Sequence, residues 1–206
     1  MTLRTSVNVG IAPLRLVFRP RTRTAPPSEA PAVERTAPDV EFVAYALDCT
    51  LSGRLELAAD RVTDLLNEHE DLELVDVRVE DLVGGEGHDI ATLGITRDEI
   101  LAVHATGPRG RADKRRRTRQ HPIMTTLGPY RVRGYVHALP GVEPIASLRH
   151  REPMVPVTDA VIEYSVGRQQ IRRRVSTLLI NRTFAHDIVA GIDGTDPLDR
   201  VATPDG

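Results

Sequence analysis

Seven histidines and one cysteine are the residues of this chain that could hold a metal ion or act as a nucleophile. The histidines are His69, His88, His104, His121, His137, His150 and His186. No two of them stand at the short spacing of a metal site such as H-E-x-x-H. Cys49 follows Asp48, whose negative charge disfavours the reactive thiolate. We therefore predict surface or strand-edge histidines, with His104 and His137 partly buried in strands, and an inert core cysteine.

Other catalytic patterns are equally weak. The GGEG stretch at 84–87 lacks the lysine of a phosphate-binding loop and predicts a hairpin turn. Asp76 and Asp159, like Glu80 and Glu163, are acids at matching places in two similar stretches. Paired carboxylates can do acid–base chemistry where they converge, but alternating strands favour a solvent-facing position for all four. The sequence thus predicts no enzyme, no catalytic residue, no metal and no cofactor.

The two similar stretches align over most of their length and indicate an internal duplication. ELVDVRVE at 73–80 lies over PVTDAVIE at 156–163, and IATLGITR at 90–97 lies over VSTLLINR at 175–182. Gly53 lies over Gly134, and Arg97 lies over Arg182. We interpret the two arginines as structural ion-pair partners of the matched aspartates and glutamates named above. The offset between the stretches changes only in predicted loops, where insertions are tolerated.

Each stretch predicts a strand, a short helix and then three strands. The first strand is YALDCTLSGRLEL in one stretch and YRVRGYVHAL in the other. Val62, Leu65 and Leu66 share one face of the first helix, with Asp60 as its N-cap. In each stretch a tight turn separates the last two strands, around TRDE in the first stretch and around NRTF in the second. The predicted fold class is mainly β (α+β), with two related small domains that either pack as a pseudo-dimer or move apart.

Composition excludes several classes of protein. The chain has 206 residues, 40% hydrophobic and 27% charged, which is typical of a globular protein. No apolar run is long enough to cross a membrane, and the N-terminus lacks the pattern of a secretion signal. The single cysteine rules out an internal disulfide framework. We therefore expect a cytoplasmic protein without a transmembrane segment.

Charge is divided unevenly along the chain. Residues 45–106 contain four basic and fifteen acidic residues, whereas residues 107–192 contain sixteen basic and six acidic residues. The predicted units are a candidate docking arm (1–19), a proline-rich linker (20–40), an acidic repeat (41–106), a polybasic linker (107–129), a basic repeat (130–192) and an acidic tail (193–206).

The polybasic linker between the two repeats is the strongest single feature of the sequence. Its basic residues are Arg109, Arg111, Lys114, Arg115, Arg116, Arg117 and Arg119, and Arg172, Arg173 and Arg174 add a second cluster. Such a segment is either a solvated linker, a docking site for an acidic protein, or a site for nucleic acid or anionic lipid, which bind through phosphates. No aromatic residues are interleaved for base stacking.

The stretches DRVTDLLNEHEDLELVDVRVE and PIASLRHREPMVPVTDAVIE resemble a small bacterial domain family of unknown function. The family pattern is R-L-S-D-L-L-N, then F-x-P-V-T-D-A, then L-I-N-R, and the resemblance covers about 45–106 and 130–192. It implies an architecture and no activity. LSGRLELAAD, ITRDEILAV and INRTFAHDIV are more loosely similar to strands of Sm-like barrels, which implies RNA binding.

Two functions follow from these patterns. The first is a non-enzymatic assembly, scaffold or protein-interaction protein, because the acidic and basic repeats are electrostatically complementary within a chain or between chains. The expected partner is a second copy or an acidic protein. The alternative is a nucleic-acid-binding protein, with RNA the implied ligand, that acts through the arginine-rich loop.

Overall fold

A computed structural model describes residues 37–108 and 117–191, apart from Arg149. The candidate docking arm, most of the proline-rich linker, Arg109 to Arg116 and the acidic tail lie outside the described residues, so the predictions made for them stay predictions.

Ten strands and two short helices make up the described chain. The strands are β1 (Asp39–Tyr45), β2 (Cys49–Glu56), β3 (Asp71–Asp81), β4 (Gly87–Thr96), β5 (Ala102–Ala105), β6 (Arg119–Leu127), β7 (Tyr130–Ala138), β8 (Met154–Val166), β9 (Gln169–Asn181) and β10 (His186–Ala190). The helices are α1 (Val62–Glu68) and α2 (Pro144–Leu148), and a 3₁₀ turn covers Arg97–Glu99. The prediction of a mainly β fold is confirmed.

All ten strands belong to one antiparallel sheet with the order β10-β6-β7-β8-β9-β5-β1-β2-β3-β4. The first half of the molecule, residues 39–105, contributes β5-β1-β2-β3-β4. The second half, residues 119–190, contributes β10-β6-β7-β8-β9. The two halves are joined side by side where β9 pairs with β5.

Each half contains a strand bend built from one glycine and one aspartate. The β2–β3 register shifts at Gly53, and the β7–β8 register shifts at Gly134. Near these shifts Asp76 and Asp159 adopt the left-handed conformation, with φ of 50° and 48°. Because such a residue interrupts the alternation of a strand, Leu74 and Val77 both face the core although they are three residues apart.

Helix α1 forms because three apolar residues share one of its faces. Val62, Leu65 and Leu66 are buried, as predicted. The predicted N-cap Asp60 is wrong by one residue. Arg61 occupies that position, its side chain caps no backbone group, and it pairs with Asp64 in the first turn.

Two boundaries predicted from sequence are also wrong. Residues 119–127 of the predicted polybasic linker form β6, whose Ile123, Thr125 and Leu127 point into the core. The run from Tyr45 to Leu57 is not one strand either, because Tyr45 ends β1 and a tight turn leads to β2 at Cys49. Consequently Tyr45 and Tyr130, which begins β7, do not occupy equivalent places.

The apolar side chains form two cores, and each core contains residues from both halves of the molecule. The first core, in the first half, also contains Met154 and Leu179 of the second half. The second core contains Tyr45, Leu82 and Leu101 of the first half. Within the described residues, no helix is long and apolar enough to span a membrane.

Candidate interaction surface

The junction of the two halves, called the seam below, begins with a short backbone pairing. Ala102 and Val103 of β5 pair with Ile180 and Leu179 of β9. Asn181 extends the pairing, because its backbone N–H donates to the Leu101 carbonyl at 2.9 Å. Its fully buried side-chain amide donates to the Ile100 carbonyl at 3.1 Å. A polar side chain without exposure to water thus satisfies a backbone group across the seam.

A second tie across the seam comes from α1. The side chain of Asn67 accepts the Met154 N–H at 2.9 Å and donates to the Met154 carbonyl at 3.2 Å. In the sequence, Asn67 and Asn181 are the asparagines of the DLLN and LINR segments that resemble the family pattern, and no role is predicted for either. Each asparagine follows a run of apolar residues in the sequence. A polar side chain buried at such a place needs a hydrogen-bond partner inside the protein, and this was the signal for an internal contact.

Three tyrosines fill the seam between these ties. The ring centroids of Tyr45, Tyr130 and Tyr164 lie 5.3–5.7 Å apart, and Tyr45 meets the other two edge-on. The Tyr130 hydroxyl donates to the Ala46 carbonyl at 2.7 Å. Burial raises the pKa of Tyr45 to about 12, and it also raises that of Tyr164. These phenols stay neutral and serve packing and hydrogen bonding.

His104 of β5 stands at the rim of this cluster. Its Nδ1 lies 3.3 Å from the Tyr45 hydroxyl. Burial lowers its pKa, the nearby Arg173 lowers it further, and Glu41 opposes the shift. The prediction that His104 and His137 are partly buried in strands is confirmed.

Cys49 is buried in the first core, as predicted. Burial, with a further contribution from Asp48, raises its pKa to about 12, so the thiol is protonated and unreactive. The described residues contain no group of three or more metal-ligating side chains that could hold an ion. The GGEG stretch closes the β3–β4 hairpin, where the Asp81 carboxylate accepts the Val83 N–H at 2.8 Å.

The paired acids do not form a common site in the described structure. Asp76 pairs with Arg54, whereas Asp159 occupies the matching bend of the second half. No described hydrogen bond or ion pair connects Asp76 with Asp159, or Glu80 with Glu163.

The predicted ion pairs of Arg97 and Arg182 with these acids are wrong. Arg97 contacts Glu70 at 3.4 Å, and Arg182 donates to the Arg151 carbonyl at 2.6 Å. Both arginines lie at a strand end instead, where their backbone N–H groups bond to the carbonyls of Glu70 and Pro153.

An arginine-rich surface lies on the outer side of the second half, facing away from the core. Arg131 and Arg133 of β7 stand opposite Glu163 and Val161 of β8. These two in turn stand opposite Arg172 and Arg174 of β9. The result is a two-by-three array with an arginine at each corner, called the arginine frame below. Neighbouring strands are about 4.8 Å apart, so the four guanidinium groups share one small surface.

Glu163 organises two of these four arginines. Its Oε1 lies 3.6 Å from Arg133 and 3.5 Å from Arg172. Arg131 and Arg174 are exposed, and no described ion pair involves them. Met124 and Val189 flank the frame and are 51% and 50% exposed. The surface therefore combines unneutralised positive charge with apolar contact area.

The structure separates the predicted basic residues into groups. Arg172 and Arg174 belong to the frame, whereas Arg173 points to the opposite side, near Tyr45 and His104. Arg119 begins β6, Arg117 lies just before it, and both are exposed. Arg131 and Arg133 were not predicted, because in the sequence they look like ordinary solvent-facing residues of an alternating strand.

No family model, no curated protein and no solved structure matches the chain.

Proposed function

We propose that the chain is a non-enzymatic protein-interaction scaffold, made of a duplicated small β domain paired within one chain, and that the arginine frame binds an acidic protein partner. Support for the duplication comes from the identical strand order of the halves and from their matching bends at Gly53 and Gly134. The arrangement of the halves as a pseudo-dimer rests on the exchanged core residues.

The observation that carries the proposal is the contrast between the frame and the same register positions in the first half. There, Thr50 and Ser52 stand opposite Glu80 and Arg78, and these stand opposite Gly87 and Asp89. None of the four corners is an arginine. Because the same backbone arrangement forms without them, the four arginines are not required for the fold, and binding is the reason we assign to them.

An acidic protein suits this surface better than a nucleic acid does. Arginine recognises carboxylates through paired, charge-assisted hydrogen bonds and is enriched at protein interfaces. The alternation of β7 places a single aromatic residue, Tyr135, on the same outer side as Arg133, and one ring offers little stacking for successive bases. Met124 and Val189 add the apolar contact that a protein interface uses.

The test measures binding of a labelled oligo-glutamate peptide to the full chain by fluorescence anisotropy. The double variant Arg131→Ala/Arg174→Ala removes the two unpaired corners. Exposed ion pairs contribute about 0.2–1 kcal/mol each, so we expect the loss of two to raise Kd roughly two- to thirtyfold.

The matched control is Arg54→Ala/Arg78→Ala, which removes the same charge from the first half. Both control arginines are exposed and paired with acids. Equal weakening in both variants would mean that binding follows net charge alone, and it would overturn the assignment to the frame.

The second candidate function is nucleic-acid binding, and the exposure of Arg117 and Arg119 beside the predicted polybasic loop favours it. Its test uses a single-stranded RNA oligonucleotide of mixed sequence in the same assay. A steep loss of affinity with salt, with RNA bound more tightly than the peptide, would favour this candidate. Substitution of Arg115, Arg116 and Arg117 by alanine would then weaken the binding of all sequences about equally.

A further inference from the structure

The two outer edges of the described sheet differ in how well they are protected. At one end, β10 has only five residues, its pairing with β6 shifts between His186 and Val189, and Asp187 adopts a left-handed conformation with φ of 51°. Short edge strands, bulges and charges are the devices by which proteins prevent further strand pairing. The β10 edge is therefore closed to an ordinary antiparallel partner.

At the other end, β4 is neither short nor shifted in register. It has ten residues and pairs with β3 without a register shift. It contains no proline and no lysine, and its one carboxylate, Asp89, is turned toward Arg78 at 3.3 Å. A long edge with a constant register and a single carboxylate is a template for another strand.

The side chains of β4 also restrict the register of such a strand. Ile90 and Leu93 both pack on the first core, although they are three residues apart, and Ile95 is buried as well. The strand thus changes face between Ala91 and Thr92. An added strand keeps its core-facing side chains on the core side only if it changes face at the same level.

We propose that β4 pairs antiparallel with β4 of a second copy of this chain, which makes a two-fold symmetric dimer with one continuous sheet. A second copy meets the register requirement by symmetry when Ala91 lies opposite the partner's Thr92. Ile90 then lies opposite the partner's Leu93, and Asp89 opposite the partner's Gly94. There is room for that carboxylate, since a Cβ built on Gly94 would meet no atom within 4 Å.

This contact closes on itself, because an isologous interface uses the same edge of both copies. It differs from a head-to-tail contact, in which β10 of one copy would pair with β4 of the next, and the register shift of β10 disfavours that contact. It does not rest on the proposed function, because the arginine frame lies in the other half of the sheet.

The first experiment tests the register by disulfide formation in the full chain under mild oxidation. In the proposed dimer, positions 89 and 94 of different copies are direct neighbours, within the reach of a disulfide. Within one chain they are about 17 Å apart, and each is equally far from its own counterpart in the partner. We therefore expect Asp89→Cys/Gly94→Cys to give a covalent dimer on a non-reducing gel, and neither single variant to do so.

The second experiment measures molar mass by light scattering after size exclusion, at low and high salt. The wild type should be a dimer at both salt concentrations, because backbone hydrogen bonds and apolar contacts hold the edge. Ala91→Lys should be a monomer, since it places a charge on the open edge. The matched control Val189→Lys, on the β10 edge, should remain a dimer.

Several outcomes would overturn the proposal. If the wild type were a monomer, the proposal would be wrong, even if another segment of the chain covered β4. It would also be wrong if the Ala91→Lys variant remained a dimer. Cross-linking of either single cysteine variant would show a different contact. Arg131→Ala/Arg174→Ala should leave the dimer intact, so this proposal and the proposed function can fail separately.

Discussion

His104 links ionisation of a single residue to the stability of the seam. Burial, and then Arg173, lower its pKa below the ordinary value, so the folded protein favours the neutral ring. A group whose pKa is lower in the folded state stabilises the fold above its unfolded pKa of about 6.5, and this stabilisation is lost as the pH falls. We expect the melting temperature to decrease from about pH 8 to about pH 5, and to decrease less in His104→Gln, which keeps a hydrogen-bonding side chain beside Tyr45.

The control for this prediction is His69→Gln. His69 is exposed at the end of α1, so this variant removes one histidine without removing a buried side chain. The comparison is needed because carboxylates also begin to gain protons near pH 5 and weaken ion pairs throughout the protein. A His104→Gln protein with the full wild-type pH dependence would show that His104 is not the group responsible.

At the scale of single elements, the strand bends set the fold of each half. A Cβ at Gly134 would lie 2.6 Å from Val157 Cγ1 and 2.8 Å from the Thr158 carbonyl oxygen. At Gly53 the closest atom is the Val75 carbonyl oxygen at 2.9 Å. Gly134→Ala should therefore destabilise the protein by about 1–3 kcal/mol through overpacking, and Gly53→Ala by a similar or smaller amount. Urea unfolding measures both.

Gly94 provides the comparison for these two positions. It pairs with Glu73 without a register shift, and a Cβ there would meet nothing within 4 Å. Gly94→Ala should be neutral or slightly stabilising, because alanine restricts the unfolded chain more than glycine does. If Gly94→Ala were as destabilising as Gly134→Ala, close approach of the strands would not be the cause.

Sequence reasoning found those elements whose pattern is local. Alternation predicts β3, β4, β8 and β9, and the spacing of Val62, Leu65 and Leu66 predicts α1. It missed β6 because this strand contains a proline and several polar or basic residues. The alternation of its three core-facing side chains is therefore not recognisable in the sequence. It merged the end of β1 with β2 because the turn between Tyr45 and Cys49 contains neither glycine nor proline, the usual signals of a turn.

The arginine frame could be predicted only in part, for a similar reason. Arg172 and Arg174 belong to a visible cluster, but their neighbours Arg131 and Arg133 come from a strand about forty residues away. The register that brings them together depends on the bend at Gly134 and on the pairing of three strands. The partners of Arg97 and Arg182 were missed in the same way, since both bind carbonyl groups of segments that are distant in sequence.

At the scale of the whole molecule, the exchange of core residues couples the two halves. Met154 and Leu179 complete the first core, while Tyr45 and Leu101 complete the second. Neither half can unfold without exposing apolar side chains of the other and breaking the buried hydrogen bonds of Asn181. The two halves should therefore unfold in one cooperative transition rather than as two independent domains.

The test places one large-to-small substitution in each core. Leu66 and Ile162 are both fully buried, so Leu66→Ala and Ile162→Ala should each destabilise the protein by about 2–5 kcal/mol. Because the transition is shared, either variant should lower the hydrogen-exchange protection of the slowest amides in both halves by a similar factor. If each variant lowered protection only in its own half, the halves would be separate folding units, and the seam would be a docking contact between finished domains.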